Sequence, residues 1–313
     1  MRVGISAIEY ALPERRVALE QLEAADKLDS PAARLREFGF EVVHVSDEPA
    51  ERLVSVAVAR LLENRAISPD SVDALFYAGA IPPSHFVKGR NGDFLDGFSY
   101  PAAKLHYDFG FLNATITGIS QVGCLGLMSA VKAAADFLVA NTDANRALCV
   151  SADVFPPQAR REVIYNVVSD GACAVLVEKE AVANRILAHR QITKGYYWDS
   201  IARKNEIVAA YFPTAQHIMR ETLMRAGLER GDIAWILPHN VSLRSWEILL
   251  GLLGFPREKL WAENIAAKGH VIAADNFINL KDATEQGFLK RGDKLLLFNF
   301  GFGINWSCTI LEH

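Results

Sequence analysis

An internal repeat constrains the fold of this chain more than any other feature of its sequence. The segment from Leu53 to Gly79 reads as a helix with one apolar face, a polar turn and a buried strand, and the segment from Ile218 to His239 repeats that order. Four apolar positions recur at one constant offset: Leu62, Ile67, Val72 and Leu75 match Leu223, Leu228, Ile233 and Ile236. A run of matches at one offset indicates a duplicated structural unit.

A second pair of matching segments follows the first pair. Gly123-Cys124 and Gly269-His270 each precede a predicted helix, a polar turn, a strand, a glycine-bearing turn and a last strand. The helix and two strands are predicted over 125–140, 146–151 and 172–178 in the first copy, and over 272–289, 294–299 and 305–311 in the second. The strands lack alternating polarity, which favours a parallel or mixed sheet covered by helices.

The repeat therefore predicts an α/β fold built from two duplicated halves, residues 1–180 and residues 181–313. Two stretches do not fit the repeat and are predicted to be long loops. One is the aromatic-rich insertion 81–113, and the other covers 185–215. Long loops in a compact domain are often functional, so these aromatic residues are expected either to pack a subunit interface or to line a substrate tunnel.

Composition excludes several classes of function. The 313 residues are 50% hydrophobic, which is enough for a large core, and the formal net charge of −4 is spread without basic blocks. A role in binding nucleic acid or a membrane is therefore not expected. The 4 cysteines show no paired spacing, so neither a disulfide framework nor a metal site is predicted. Reduced cysteines and the absence of a leader pattern favour a soluble cytoplasmic protein.

Three residues at equivalent ends of the two repeats are candidates for chemistry. Cys124 is predicted at a helix N-terminus, where unpaired N–H groups and the helix dipole lower the pKa of a thiol. His239 ends a buried strand, and His270 is predicted to begin the helix that mirrors the one after Cys124. Taken alone, each residue also has a non-catalytic interpretation: Cys124 as a core cysteine, and each histidine as a side chain held by structural hydrogen bonds. Packing of the two repeats would bring all three together, which favours a shared catalytic site.

Several segments together resemble one known family. They are the run from Ile116 to Asp153, WILPHNVSLRSWEILLGLLG from Trp235, KGHVIAA from Lys268 and FGFGINWSC from Phe300. In this order they look like a β-ketoacyl-acyl carrier protein synthase III-type condensing enzyme of the thiolase superfamily. The resemblance implies a five-layered αβαβα fold, usually in a homodimer, that works without a metal or cofactor.

The resemblance also implies roles for individual residues. Cys124 matches the acyl-accepting nucleophile, and His239 matches the family histidine beside Asn240, a substrate-binding candidate. His270 stands where the family commonly has asparagine, which is similar to the Cys-His-His set of elongating enzymes, and Lys268 is a candidate for the lysine of that set. Both histidines are expected to act as neutral hydrogen-bond donors, since burial lowers a histidine pKa.

The glycine-rich terminal turn departs from the family pattern at one position. Phe302 replaces the middle glycine between Gly301 and Gly303, so it is expected to narrow the substrate pocket. The resemblance implies an oxyanion hole made of backbone N–H groups of Cys124 and of this turn, at Phe302 or Gly303. In this family a tryptophan and an arginine hold coenzyme A, and neither has a clear match in residues 30–40. An acyl carrier protein is therefore favoured over acyl-coenzyme A as the acyl donor.

The predicted function is a two-stage condensation. An acyl thioester acylates Cys124, and a malonyl-type thioester then loses CO₂ and attacks the acyl group to give a β-ketoacyl product. The first alternative is an acyltransferase that passes the acyl group to a hydroxyl or amine, and the second is a catalytically silent partner subunit. Basic pairs that are candidates for receiving an acidic carrier protein are Lys88 with Arg90, Arg160 with Arg161, and Arg203 with Lys204.

Overall fold

A mixed sheet of nine strands organises the fold. The computed structural model describes residues 2–81, 99–164, 166–302 and 304–313. The strands are β1 (Val3–Ala11), β2 (Arg16–Ala18), β3 (Val42–His44), β4 (Ala74–Ala78), β5 (Thr115–Ile119), β6 (Arg146–Asp153), β7 (Glu162–Val163), β8 (Asn166–Val167), β9 (Gly171–Lys179), β10 (Arg185–Thr193), β11 (Ile233–Leu237), β12 (Lys294–Gly301) and β13 (Asn305–Glu312). The helices are α1 (Leu19–Ala24), α2 (Ala32–Glu37), α3 (Ala50–Arg65), α4 (Pro101–Phe109), α5 (Gly126–Ala140), α6 (Lys204–Ala226), α7 (Leu243–Leu253), α8 (Glu263–Lys268) and α9 (Asp275–Glu285).

The strand order repeats from one half of the sheet to the other. The order is β11-β12-β13-β10-β1-β9-β6-β4-β5, and β1 meets β10 at one register pair, Gly4 with Arg185. In one half β4 is parallel to β6, which is antiparallel to β9, and β9 is antiparallel to β1. In the other half β11, β12, β13 and β10 follow the same order of parallel and antiparallel pairs. The same pattern of strand pairing therefore occurs twice in the sheet, as the sequence repeat predicts.

Three hydrophobic clusters separate five layers. Neighbouring strand residues alternate between clusters: Leu75 packs with α3 on the outer face, whereas Phe76 points to the inner cluster. Likewise, Leu296 packs on the α6 side and Leu297 points inward. The inner cluster contains residues of α5 and α9 together with inward residues of both half-sheets. The layers are therefore α3, the first half-sheet, α5 with α9, the second half-sheet and α6, which confirms the predicted αβαβα class.

Several predicted boundaries are wrong. The first helix begins at Gly126 after a 3-10 turn at Gly123–Leu125, and the second begins at Asp275 rather than at residue 272. The reason for the later start is that Ile272 has a φ of 49°, which is incompatible with a right-handed helix. His270 therefore precedes the helix and pairs with Val168 in an isolated parallel bridge.

The two stretches predicted as loops contain regular structure. The described part of 81–113 includes α4, which packs on β4 and β5, while residues 82–98 lie outside the described residues. The stretch 185–215 consists largely of β10 and the first half of α6, so the prediction of a second long loop is wrong. Both elements pack against sheet strands, a tertiary contact that local sequence does not encode.

One described segment, Gly123–Ala140, is long and apolar enough to cross a membrane by length and composition. Half of this segment is buried within the fold, and it carries Lys132 and Asp136 on the exposed side. Its apolar face packs against strands of the first half-sheet as α5. The segment is thus accounted for as a core helix.

Candidate active site

Cys124 lies in the tight turn between β5 and α5. The preceding Gly123 has a φ of 57°, and a Cβ there would stand 2.2 Å from the backbone oxygen of Phe302. A Cβ at Gly301 would stand 2.2 Å from the oxygen of Val122. Glycine at these two positions lets the backbone of the terminal turn lie directly against the turn that carries the cysteine.

His239 is fixed immediately after β11. Its side chain is buried, and its backbone oxygen accepts a 2.8 Å hydrogen bond from Trp246 Nε1. Asn279 of α9 donates to the neighbouring oxygen of Pro238 over 2.8 Å. The His239 ring stands edge-on to the His270 ring, with centroids 4.6 Å apart and an interplanar angle of 81°. The end of the strand therefore presents this imidazole in one orientation.

His270 is held by backbone pairing on both sides. Its N–H donates to Val167 O at 2.9 Å, and its carbonyl accepts from Ser169 N at 2.9 Å. The Nε2 atom lies 3.4 Å from Cys124 Sγ, and the Nδ1 atom lies 2.7 Å from Asp275 Oδ2. The imidazole thus bridges the thiol and a buried carboxylate.

Asp275 is a site residue that the sequence analysis missed. It is buried, and its carboxylate accepts hydrogen bonds from Asn240 N and Val271 N, each 2.7 Å long, in addition to the contact with His270. His239 Nδ1 also lies 3.2 Å from Asp275 Oδ2, though without hydrogen-bond geometry. The one sequence signal is an acidic residue shortly after Gly-His. Acidic residues are common in the first turn of any helix, so this signal is not specific.

The charges in the site are strongly coupled. Burial alone raises the pKa of the Cys124 thiol, but the imidazoles of His270 and His239 outweigh it and lower the pKa to about 7. Burial lowers the pKa of His270, whereas the Asp275 carboxylate and the Cys124 thiolate raise it to about 10. The pKa of His239 is raised for the same reasons, and that of Asp275 is held well below its usual range. The direction of both shifts runs against the predicted neutral imidazoles, because that prediction counted burial and not the carboxylate.

An apolar cavity of about 380 Å³ opens above these side chains. Cys124, His239, His270 and Phe302 all line it. Its aromatic walls are Phe38, Phe155, Tyr211, Phe212, Phe300 and Phe302. Among the described lining residues, Arg244 is the one side chain with a permanent charge, and it is largely exposed. The interior therefore suits an uncharged apolar group.

The structure places two predicted substrate-binding residues away from this cavity. The Lys268 ammonium pairs with the Asp282 carboxylate and with Tyr10 OH, the latter at 2.7 Å. Asn240 is buried, donates to Gly269 O at 3.0 Å and accepts from Asn279 Nδ2 at 2.8 Å. Neither residue is among the described side chains that line the cavity. The reason is that each side chain points into a polar network behind the site, an orientation that sequence order does not reveal.

The two predicted oxyanion-hole segments do lie together. The backbone of Phe302 packs on Gly123 and therefore next to Cys124, as the close approach of the two turns requires. Gly303 lies outside the described residues. The side chain of Phe302 stands 5.9 Å from the Phe300 ring, centroid to centroid, at the wall of the cavity.

The predicted basic pairs differ from one another in the structure. Arg161 is buried in a two-bond ion pair with Asp170, at 2.9 Å for each bond, so it is not a surface residue. Arg160 is exposed and pairs with Asp26 and Asp29. Arg203 pairs with Glu206 and covers the Tyr196 ring at 3.9 Å. Lys204 begins α6, and Lys88 and Arg90 lie outside the described residues.

The three central side chains also form a compact cluster of sulfur and imidazole nitrogen atoms. One ligand atom each from Cys124, His239 and His270 lies within 4.8 Å of the others. Sulfur and imidazole nitrogen are the donors that zinc prefers, and a carboxylate behind a ligating histidine is a common supporting contact. These residues come from three distant segments, which is why cysteine spacing could not predict the cluster. The closeness of the three donors follows from the contact of Cys124 Sγ with His270 Nε2 and from the contacts of both imidazoles with Asp275.

Comparison with known proteins identifies the family of this chain. The family model described as 3-oxoacyl-[acyl-carrier-protein] synthase III matches residues 120–195, and the model of its C-terminal region matches residues 223–313. A β-ketoacyl-[acyl-carrier-protein] synthase III of Erythrobacter litoralis is 25% identical over 100% of both chains. The matched segments contain Cys124, His239, His270 and Asp275.

Solved structures show the same fold. The 3-oxoacyl-[acyl-carrier-protein] synthase III of Aquifex aeolicus superposes with a TM-score of 0.84 at 22% identity, covering 99% of this chain and 100% of that one. An acyltransferase named ChlB3 superposes with a TM-score of 0.85 at 23% identity, covering 100% and 98%. The family models, the full-length relative and the thiolase-type fold together make this chain a transferase that belongs to the β-ketoacyl-acyl carrier protein synthase III-like condensing enzymes of the thiolase superfamily.

Proposed function

We propose that this enzyme transfers an acyl group from a thioester to Cys124 and then joins that group to a malonyl-type thioester by decarboxylative condensation. The observation that carries the proposal is the position of the Cys124 sulfur, 3.4 Å from His270 Nε2 at the wall of an apolar cavity. The family membership of the chain supports the same reaction class. No step of the proposed reaction requires a cofactor.

In the first half-reaction the Cys124 thiolate attacks the thioester carbonyl. A carbon–sulfur bond forms to Cys124, and the oxyanion is stabilised by backbone N–H groups of Cys124 and Phe302. Removing one such donor typically costs about 3 kcal/mol of transition-state stabilisation. The bond to the carrier sulfur then breaks, and protonated His270 supplies the proton that the leaving thiolate takes up.

In the second half-reaction the malonyl-type thioester loses CO₂. The electron pair of the broken carbon–carbon bond becomes an enolate, whose oxygen needs hydrogen-bond donors. His239 and His270 line the cavity beside Cys124, and the raised pKa of each supports a protonated imidazole that can donate. The enolate carbon attacks the acyl carbonyl, the bond to Cys124 Sγ breaks, and the thiolate is restored.

The direct test is the mass of the intact protein after incubation with an acyl thioester. Wild-type protein should gain one acyl group, and Cys124→Ala should gain none. Cys308→Ala is the matched control, since Cys308 is fully buried in the core and should leave acylation unchanged. An acyl adduct on Cys124→Ala would refute the assignment of the nucleophile.

A second candidate reaction is transfer of the acyl group from Cys124 to a hydroxyl or amine. The observation that favours it is the contact of His270 Nδ1 with Asp275. Once the ring has given its Nε2 proton to the leaving thiolate, that contact leaves Nε2 as a base toward the cavity. Release of ¹⁴CO₂ from carboxyl-labelled malonyl thioester by the acylated enzyme separates the two reactions. Condensation requires that release, and transfer to oxygen or nitrogen does not.

We further propose an acyl carrier protein or acyl-coenzyme A as the donor, and a homodimer as the working form. Arg244 is exposed at the cavity, and its ion pair with Glu247, 3.2 Å long, is open to solvent, so its guanidinium supports an acidic or phosphate-bearing donor that exchanges with Glu247. The exposed edge strand β5 supports self-association. Acylation rates with the same acyl group on carrier protein and on coenzyme A will identify the preferred donor.

A further inference from the structure

Asp275 is a buried carboxylate whose described ion pairs are with imidazoles alone. The contacts are 2.7 Å to His270 Nδ1 and 3.2 Å to His239 Nδ1. Its other hydrogen bonds come from the backbone N–H groups of Asn240 and Val271. Within the part of the chain that the structure describes, it has no lysine or arginine partner. A buried carboxylate without such a partner is costly unless nearby groups supply positive charge.

The same contact determines which nitrogen of His270 carries a proton. An ionised carboxylate only accepts hydrogen bonds, so Nδ1 must be the donor in the 2.7 Å contact. The Nε2 atom then faces Cys124 Sγ either as a lone pair or, in the protonated ring, as a donor. A protonated ring between a carboxylate and a thiol favours the thiolate.

We propose that Asp275 is a positioning residue that acts through His270, fixing its orientation and its proton so that Cys124 and His270 rest as a thiolate–imidazolium pair. In its catalytic consequence the proposal rests on the function proposed above. When Cys124 Sγ bonds to the acyl carbon, the proton on His270 Nε2 passes to the departing carrier sulfur. The neutral ring, still bound to Asp275 through Nδ1, then takes up a proton from solvent.

The groups that face His270 come from four elements. Cys124 precedes α5, His239 follows β11, Asp275 begins α9, and Asp153 ends β6. The Asp153 carboxylate accepts hydrogen bonds from Ala80 N and Ile81 N, and burial raises its pKa to about 6. Asp153 is therefore the other acidic group near His270, but its hydrogen bonds go to the backbone. Of these two carboxylates, Asp275 is the one that contacts a ring nitrogen of His270, namely Nδ1.

The test measures the rate at which iodoacetamide alkylates Cys124 as a function of pH. Cys124 is the one partly exposed cysteine of the four, so the adduct reports on it. In wild-type protein the rate should rise with an inflection near pH 7, since only the thiolate reacts. In Asp275→Asn the charge that holds the imidazolium is lost, and the inflection should move up by roughly 1 to 3 pH units.

Asp282→Asn is the matched control. Asp282 is a buried carboxylate of the same helix, but it pairs with Lys268 and Tyr10 behind the site. This variant should lower stability without moving the inflection. An equal shift in both variants would overturn the proposal, because it would trace the effect to general loosening of α9.

A double-mutant cycle tests whether Asp275 acts through His270. In the His270→Asn background the inflection should already be raised, and adding Asp275→Asn should raise it no further. If Asp275→Asn does not fold, His270→Asn alone decides: an unchanged inflection would refute the ion pair. Alkylation needs no acyl donor, so a shift in Asp275→Asn would stand even if wild-type protein formed no acyl adduct and the proposed function failed.

Discussion

Phe302 is the residue that most distinguishes this cavity from a pocket closed by a run of three glycines. Its backbone lies against Gly123, and its ring is one of the aromatic walls. A side chain at this position takes up space at the cavity wall beside Cys124 while keeping the backbone N–H that glycine would also supply. We therefore expect the side chain at this position to affect which acyl groups fit the cavity more than it affects the proposed oxyanion hole.

Phe302→Gly should widen the range of acyl groups without abolishing acylation. Branched or longer acyl thioesters that wild-type protein accepts poorly should acylate Cys124 at least about tenfold faster, which corresponds to 1.4 kcal/mol of relieved overlap. Relative kcat/KM across a panel of acyl chains is the measurement. Phe288→Ala removes an aromatic side chain outside the cavity and should keep the wild-type order of preference. An unchanged order in Phe302→Gly would show that another wall sets the limit.

Some site residues could be predicted from sequence and others could not. Cys124, His239 and His270 were accessible because each stands at the end of a repeated element, where packing of two repeats brings equivalent positions together. Asp275 could not be predicted, since an acidic residue in the first turn of a helix is common because it interacts favourably with the helix dipole. The Lys268 side chain lies in the polar network with Asp282 and Tyr10, because neighbours in sequence near a site can point to opposite sides of the backbone.

The hairpin of β7 and β8 shows how an element outside the repeat shapes the site. Its residues Val163, Ile164 and Asn166 line the cavity. Ile164 has a φ of 48°, a conformation that a β-branched residue adopts only when its surroundings enforce it. Two strands of two residues each leave no periodic pattern in the sequence, because such short strands are set by tertiary contacts.

The buried pair of Arg161 and Asp170 holds this hairpin in place. The Asp170 carboxylate also accepts from Ser46 N at 2.7 Å and Phe155 N at 2.8 Å, so it ties three segments together. Arg161→Ala leaves that carboxylate buried without its charge partner, and the free energy of unfolding should fall by about 3–5 kcal/mol. The measurement is unfolding in urea.

The adjacent arginine provides the control for this prediction. Arg160→Ala removes an exposed side chain whose partners Asp26 and Asp29 are also exposed, so it should leave the unfolding free energy nearly unchanged. If both variants lost the same free energy of unfolding, the buried ion pair of Arg161 and Asp170 would contribute no more to stability than the exposed pairs of Arg160. The comparison also separates structural from docking roles, which the sequence could not distinguish for two consecutive arginines.

At the scale of the whole molecule, the sheet ends in a strand that remains open to solvent. In the described structure β5 pairs with β4 on one side, and most of its residues are exposed, whereas every residue of β4 is buried. Exposed apolar residues lie along this edge: Ile116 in the strand, and Tyr107 and Leu112 before it. The duplication predicted the layers of one chain, but a repeat within the chain says nothing about what lies beyond its last strand.

An open edge with apolar neighbours is suited to pairing with the same edge of a second copy, in a symmetric interface. We expect the protein to sediment with twice its chain mass of 34.5 kDa. Ile116→Lys places a charge in the centre of that edge and should shift the distribution toward the single-chain mass. Val182→Lys, at an exposed apolar residue far along the chain from β5, is the control and should not. A wild-type protein that sediments as a single chain would exclude the homodimer, and a dimer unaffected by Ile116→Lys would place the interface elsewhere.

Because Cys124 follows β5 by only a few residues, dissociation should also slow acylation.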